Sequence, residues 1–239
     1  MGKATRVSAR RTNGPPAFAR VISSLRRLYG PPGPPAVAEP LEIILYENVA
    51  YLADDERRKE AFQALKKRVG LTPAEILAAS RSALREIASH GITPDQTVEK
   101  LRAIAAIAAE EFGGNLDSVV RLAPSQAKKA LKQFPSIGEP GADKVLLFSR
   151  SQPILALDSN GLRVLLRLGF GHEEKSYAQS YRSVQDALSS SLPRGYDALI
   201  EAHQLLRRHG QELCHRSQPH CEVCPLRADC AYAQSRSHS

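Results

Sequence analysis

The chain has 239 residues, of which 42% are hydrophobic, enough to bury a core in one large or two small domains. Trp is absent and aromatic residues make up 5%, while Ala, Leu and Arg are abundant, which favours helix over sheet. There is no run of about 18 apolar residues, and the N-terminus lacks the apolar segment of a secretory signal. These features argue against a membrane protein and predict a cytoplasmic location.

The charge is strongly positive and unevenly distributed. The formal net charge is +8, and residues 1–38 contain seven Lys or Arg and no acidic residue. Such asymmetry suits a nucleic acid or another polyanion. Residues 1–14 have no hydrophobic period, so we expect a disordered basic arm there, whether it contacts a polyanion or is only solvated.

Helical periodicity dominates the rest of the chain. Residues 18–29 predict an amphipathic helix, which precedes a proline-rich linker at 30–35 and is expected to pack against the C-terminal part. Pro40–Ala53 is apolar nearly all round and predicts a buried helix. About six helices are expected between the linker and residue 152, with Thr72 a plausible N-cap. Further helices follow Asp158, and no strand is expected.

Residues 128–148 predict a helical hairpin. Apolar residues recur at helical spacing from Lys128 to Phe134, and Pro135, Ser136 and Gly138 then break the pattern. A second helix begins near Pro140, where proline is tolerated in the first turn. The turn amides and the N-terminus of the second helix can together bind a phosphate.

Four cysteines lie within the last 26 residues, in the spacing C-x6-C-x2-C-x5-C. So compact a group predicts one metal centre in a reducing compartment rather than a disulfide framework. Four thiolates suit either zinc or a [4Fe–4S] cluster. The predicted ligands are Cys214, Cys221, Cys224 and Cys230.

The hairpin Phe134–Ala142, an aspartate about twenty residues later (Asp158) and the cysteine spacing together resemble the helix-hairpin-helix DNA glycosylase superfamily, which includes endonuclease III and the adenine glycosylases. The resemblance covers about residues 16–233 and favours [4Fe–4S] over zinc. It implies an all-α fold in which two helical domains flank a DNA-binding cleft. Residues 1–15 would be the basic arm, 35–152 a six-helix domain with the hairpin, and 16–34 with 153–239 the iron-sulfur domain.

Two carboxylates carry the predicted chemistry. The resemblance implies that Asp158 stabilises an oxocarbenium-like sugar, although it can equally serve as a helix N-cap. Glu47 lies seven residues after Pro40, as the catalytic glutamate of adenine glycosylases follows its proline. In an apolar site Glu47 could stay protonated and donate to the departing base. The alternative is that Glu47 lies on a solvated face or pairs with an arginine.

The resemblance also implies which residues contact duplex DNA. Leu52 occupies the position of a glutamine that enters the base stack, and it can act as a wedge or belong to the core. Arg216 lies in the loop between the first two cysteines, which touches phosphates in the family. The predicted DNA-binding residues are Pro135, Ser136, Ile137, Gly138, Gly141, Lys144, Leu52 and Arg216.

The sequence departs from the family at three points. Pro140 occupies the position of the lysine with which endonuclease III forms a Schiff base, and Lys144, one turn further on, is expected to point away. Ser136 replaces the first hairpin glycine. The chain ends nine residues after Cys230, without the domain by which adenine glycosylases read oxidised guanine.

These features predict a monomeric, monofunctional DNA glycosylase of base excision repair, with little or no lyase activity, acting on damaged or mispaired duplex DNA. In a prokaryote it would be associated with the nucleoid. The alternatives are a protein of the same fold that binds damaged DNA without cutting, and one that binds another polyanion such as RNA.

Overall fold

The computed structural model describes residues 15–236, so the predicted basic arm at 1–14 lies outside the described part. All regular elements in this range are helical, which confirms the predicted fold class, and none of these helices is long and apolar enough to cross a membrane. The α-helices are α1 Phe18–Tyr29, α2 Pro40–Asn48, α3 Asp55–Arg68, α4 Pro73–Ala78, α5 Arg81–Ala88, α6 Pro94–Phe112, α7 Asp117–Val120, α8 Pro124–Leu131, α9 Glu139–Phe148, α10 Ser159–Leu168, α11 Tyr177–Leu188, α12 Tyr196–Glu212 and α13 Ala231–Arg236.

Side-chain caps explain where several helices begin. Thr72 forms the predicted N-cap of α4 in a capping box, in which its hydroxyl accepts from the Glu75 amide while the Glu75 carboxylate accepts from the Thr72 amide. Asp54 caps α3 in the same manner by accepting from the Arg57 amide. Both caps satisfy amides that have no partner within the helix.

The second helix is shorter than predicted, because α2 ends at Asn48 and not at Ala53. The Asn48 side chain donates to the Ile44 carbonyl and also to the Pro135 carbonyl of the hairpin, which ties this helix end to the hairpin turn. Leu52 then takes a left-handed backbone conformation at φ 54°, which a continuing helix would not allow. Between the linker and residue 152, where about six helices were expected, eight lie, α2 to α9, and two of them have only six and four residues.

The N-terminal helix packs on the C-terminal part of the chain, as expected. α1 lies against α12, with Arg26 Nε 3.4 Å from Glu201 Oε1 and the Arg208 guanidinium 4.6 Å from the centre of the Tyr29 ring. Gln204 of α12 also donates to the Gly33 carbonyl of the proline linker. The linker therefore follows the surface of α12 before the chain enters α2.

The hairpin turn joins α8 to α9 and is held from both sides. Ser136 occupies a left-handed conformation at φ 61°, which explains why the family pattern has glycine there. Its hydroxyl accepts a hydrogen bond from Lys100 Nζ of α6 at 2.9 Å. Gly141 lies close behind, since a Cβ added there would stand 3.3 Å from the Ile137 side chain.

A buried carboxylate joins the two helices of the hairpin to each other and to α11. Asp143 of α9 is 1% exposed, and its Oδ1 lies 2.6 Å from Lys128 Nζ of α8. Its other oxygen accepts from the Tyr181 hydroxyl of α11 at 2.8 Å. Burial raises the pKa of Asp143 despite the opposing effect of Lys128 and Tyr181. The carboxylate therefore depends on these two partners.

Lys128→Met should destabilise the protein by about 3 kcal/mol, because it leaves a buried carboxylate without its counter-charge. Lys129→Met, at the exposed neighbouring position, should change the free energy of unfolding by less than about 0.5 kcal/mol. Urea unfolding of both variants measures the difference. Equal effects of the two substitutions would contradict the role given to the Lys128–Asp143 pair.

Candidate active site and nucleic-acid interface

Asp158 is the N-cap of α10, and its side chain remains 28% exposed. Oδ1 accepts from the Gly161 amide at 2.8 Å, and Oδ2 accepts from the Asn160 side chain at 3.1 Å. Arg207 Nε of α12 lies 3.3 Å from Oδ2. The capping role and a partly open carboxylate thus coexist, because capping uses only one of the two oxygens.

Glu47 lies near the end of α2 and pairs with Lys144 of α9, whose Nζ is 2.6 Å from Glu47 Oε1. Burial opposes ionisation of Glu47, but the Lys144 ammonium and its hydrogen bond outweigh it and hold the pKa below its ordinary value. The expectation of a protonated Glu47 was therefore wrong for the free protein. So was the expectation that Lys144 points away, since its side chain is only 17% exposed and faces Glu47.

A cavity of about 420 Å³ opens between α2, α3, α9 and α12, within the size range of small-ligand sites. His203 in its wall is hydrogen-bonded through Nδ1 to the Ala156 carbonyl, and burial and the Lys144 charge lower its pKa to about 4, so the ring is neutral. The residues that line this cavity include Tyr46, Asp55, Lys144, Phe148, His203 and Arg207, whereas Glu47 and Asp158 lie outside its lining.

The two predicted carboxylates are brought to the same region of the molecule. Arg207 interacts electrostatically with both Asp158 and Glu47. His203 interacts with Asp158, and Glu47 in turn interacts with His203. Residues 111 positions apart in sequence thus share Arg207 and His203 as neighbours.

An exposed apolar surface lies beside the hairpin. Leu52 is 67% exposed, so the alternative that it belongs to the core is wrong. Ile92 is 64% exposed, and its amide donates to the Tyr51 carbonyl at 3.1 Å. Gly91 allows this contact, because a Cβ there would stand 2.6 Å from the Tyr51 amide nitrogen. Sequence reasoning missed Ile92. In the sequence it is only an isolated apolar residue that follows a glycine in a polar segment.

Lys100 connects this apolar surface to the hairpin turn. Its ammonium lies 5.3 Å from the centre of the Tyr51 ring and donates to Ser136. At the start of α9, Glu139 pairs with Lys128 and Lys132 at 3.0 Å each, so the acidic residue at the predicted phosphate site is neutralised. The predicted contacts Pro135, Ile137 and Gly138 belong to this turn.

The four cysteines line one small cavity between α10, α12 and the C-terminal loop. Two arginines of α10 hold that loop: Arg163 Nε donates to the Cys214 carbonyl at 2.8 Å, and Arg167 donates to the His215 and Arg216 carbonyls. Arg167 Nη1 also lies 3.3 Å from Cys214 Sγ. The Arg216 side chain is exposed on this loop, where it could meet a phosphate.

Between residues 15 and 236, no group of three or more His, Cys, Asp or Glu side chains is arranged to hold a single metal ion. The donor set nevertheless fits a sulfur-ligated cluster, because the four cysteines line one cavity and the Arg167 guanidinium beside Cys214 can offset thiolate charge.

No family model matches the chain. The chain is 24% identical over 198 residues to endonuclease III of Thermotoga maritima, covering 83% of this chain and 85% of the relative. It is 26% identical over 175 residues to the thymine/uracil-DNA glycosylase of Pyrobaculum aerophilum, covering 69% and 76%.

Solved structures agree with this likeness. A trapped endonuclease III–DNA covalent intermediate superposes with a TM-score of 0.73 at 18% identity, covering 92% of this chain and 98% of the other. A thermostable thymine-DNA glycosylase gives the same TM-score at 17% identity, covering 92% and 97%. The chain therefore has the fold of these structures. In sequence it is similar to relatives named endonuclease III and thymine/uracil-DNA glycosylase, each of which aligns with more than two thirds of the chain.

The Glu47–Lys144 pair predicts a pH-dependent stability. Because the pKa of Glu47 is lowered in the folded protein, the pair stabilises it above the ordinary value of 4.5, and the stabilisation is lost as the pH falls through the folded value. Lys144→Met should cost about 2 kcal/mol near pH 7 and clearly less at an acidic pH below the lowered pKa of Glu47, where the carboxyl is protonated.

Urea unfolding at both pH values measures this effect. Lys59→Met is a matched control, since Lys59 is 59% exposed and its nearest carboxylate, Glu56, is 3.9 Å away. A cost of Lys144→Met that is the same at both pH values would show that charge pairing with Glu47 is not its cause.

Proposed function

We propose that this protein is a monofunctional DNA glycosylase of base excision repair, which hydrolyses the N-glycosidic bond of a damaged or mispaired base flipped out of duplex DNA. The observation that carries the proposal is the position of Arg207, whose Nε lies 3.3 Å from Asp158 Oδ2 and whose guanidinium also interacts electrostatically with Glu47, so that the two carboxylates share this neighbour. Similarity to DNA glycosylases supplies the reaction class.

The reaction uses the two carboxylates differently. The flipped nucleotide would lie beside the two carboxylates, and the C1′–N bond breaks with its electron pair passing to the base. Asp158 stabilises the positive charge that develops on the sugar and accepts a proton from the attacking water. The hydrogen-bonded Glu47–Lys144 pair holds a proton that the departing base can take up. The proton donor is therefore the Glu47–Lys144 pair and not a protonated Glu47 alone.

The absence of a covalent step is inferred from Pro140, which has no nucleophile at the position of the family's lysine. Lys144 faces the site, but its ammonium is engaged by Glu47 at 2.6 Å and so has no free lone pair for attack. The trapped endonuclease III–DNA covalent intermediate represents the alternative, covalent mechanism, for which the resemblance implies a lysine that forms a Schiff base with the sugar.

Duplex DNA would be held by phosphate contacts and opened by a wedge. The hairpin amides around Ser136 and Gly138 would bind the backbone, with Arg216 contributing from the cysteine loop. Leu52 and Ile92 would enter the base stack, because exposed apolar side chains can unstack base steps. Binding should weaken with salt, since a chain with a net charge of +8 releases counterions. The protein would act as a monomer on DNA in the cytoplasm.

We also propose that Cys214, Cys221, Cys224 and Cys230 hold a [4Fe–4S] cluster in a domain formed by residues 16–34 and 153–239. The cysteine spacing C-x6-C-x2-C-x5-C, which resembles that of endonuclease III, favours this cluster over zinc. When bound, such a group stabilises its loop and can exchange electrons. Arg163 and Arg167 then attach the cysteine loop to α10, the helix that Asp158 caps.

A panel of duplexes, each with one mismatch or lesion, tests the activity. Wild-type protein should release a base from at least one duplex, detected as alkali-labile strand cleavage, with no borohydride-trapped adduct. Asp158→Asn should reduce release by about a thousandfold while leaving duplex affinity nearly unchanged, because it removes the counter-charge. Asp186→Asn, on the surface of α11, is a control that should keep full activity.

Three outcomes would count against this proposal. Tight binding without release would favour a non-catalytic DNA-binding protein. A borohydride-stable adduct would contradict the monofunctional mechanism. An unimpaired Asp158→Asn variant would remove Asp158 from the reaction.

The metal centre is tested separately. Protein purified under anaerobic conditions should be brown and contain about four iron and four sulfide per chain. Cys221→Ser should lose visible absorbance and iron, whereas Ser217→Ala in the same loop should keep both. Stoichiometric zinc in place of iron would contradict the cluster.

A further inference from the structure

Arg207 of α12 connects two parts of the chain that are distant in sequence. Both terminal nitrogens of its guanidinium donate to the Asp55 carboxylate, at 2.6 and 2.5 Å, in a bidentate pair. Its Nε lies 3.3 Å from Asp158 Oδ2. One planar group therefore links the start of α3 to the start of α10.

The guanidinium is held firmly in this place. Nη1 donates to the Gln211 side chain as well as to Asp55, and only 24% of the Arg207 side chain is exposed. The Asp55 charge and hydrogen bonds raise the pKa of Arg207 in spite of its burial, so it remains a cation. Asp55 lies in the first turn of α3, where a helix favours negative charge. Arg207 thus has a fixed anchor on the side away from Asp158.

This arrangement differs from that of a DNA-binding arginine. Phosphate contacts need donors that are free and exposed, but the terminal nitrogens of Arg207 are already bound to Asp55 and Gln211. What remains for Nε is to set the position of Asp158 Oδ2.

We infer that Arg207 is a positioning residue for the proposed glycosylase reaction: anchored on Asp55, it fixes the Asp158 carboxylate beside the site of the sugar. This inference rests on the proposed function. Capping by the Gly161 amide fixes only Oδ1 of Asp158. Arg207 and Asn160 together fix Oδ2, the oxygen left for the reaction.

The test separates positioning from binding and from folding. On the duplex that wild-type protein cleaves best, Arg207→Gln should reduce the single-turnover rate of base release by about ten- to a hundredfold, the scale expected for a misplaced group. The dissociation constant for the same duplex should change by less than about threefold. Arg207→Lys should recover part of the rate, because it keeps a cation but loses the bidentate geometry.

Asp55 supplies a second, independent variant. Asp55→Asn should slow base release in the same way, and the double variant should be no slower than Arg207→Gln, since both act through one linkage. Arg68→Gln is the matched control: Arg68 forms a similar bidentate pair with Glu86, at 2.8 and 2.6 Å, but on the exposed surface between α3 and α5. It should leave the rate unchanged.

The outcomes distinguish a failure of the inference about Arg207 from a failure of the proposed glycosylase function. If wild-type protein releases a base and Arg207→Gln does so equally fast, or if rate and affinity fall together, the inference is overturned. If wild-type protein releases no base from any duplex, the proposed function fails instead. A crystal structure of Arg207→Gln then still tests the positioning: Asp158 Oδ2 should move, and an unmoved carboxylate overturns the inference.

Discussion

The close approach of α10 and α12 is the constraint on which the candidate site depends. Gly210 makes it possible, because a Cβ there would stand 2.7 Å from the Asn160 Cβ. Gly161 lies on the facing side, where a Cβ would come within 3.4 Å of the Leu206 Cβ. With the helices this close, Arg207 of α12 can reach the first residue before α10. A longer side chain at position 210 would separate the helices at the point where Asp158 caps α10.

The same approach connects the carboxylate to the cysteine loop. Asn160 donates to Asp158 and accepts from Arg163 Nη2 at 2.8 Å. Arg163 Nη2 also donates to the Gly210 carbonyl at 2.7 Å, and Arg163 Nε donates to the Cys214 carbonyl. A short hydrogen-bonded path therefore runs from the first cysteine to the N-cap of α10. A cluster bound by the cysteines, as proposed, would thus support the site without taking part in its chemistry, since the cysteine loop and Asp158 are both fixed to α10.

Local sequence signals predicted the elements well. The hairpin, the Thr72 cap and the position of Asp158 at a helix start all depend on residues within a few positions of each other, where backbone sterics and capping decide the outcome. The end of α2 was missed because Asn48 is bound by Pro135, a contact across 87 positions.

Only part of the site could be predicted, because its pairings likewise join residues that are distant in sequence. A pattern shows that Lys144 and Glu47 lie on helices, but their pairing depends on how α2 and α9 are oriented in three dimensions. Nothing near Arg207 in the sequence indicates that it meets Asp55, 152 positions away. The resemblance named the two carboxylates, but not the cations between them, and these set the ionisation of Glu47 and the place of Asp158.

The distances around Arg207 also explain how a cation beside Asp158 can be compatible with its proposed task. Charge interactions weaken with distance, and the guanidinium is closer to Asp55, at 2.5 Å, than to Asp158, at 3.3 Å. A guanidinium paired with Asp158 alone would neutralise the charge that a sugar cation requires. Since Asp55 takes the two terminal nitrogens, Asp158 is oriented by Nε yet keeps much of its negative charge. Asp55 is therefore what allows an arginine to position the carboxylate without quenching it, and a lone arginine at this place would inhibit the reaction.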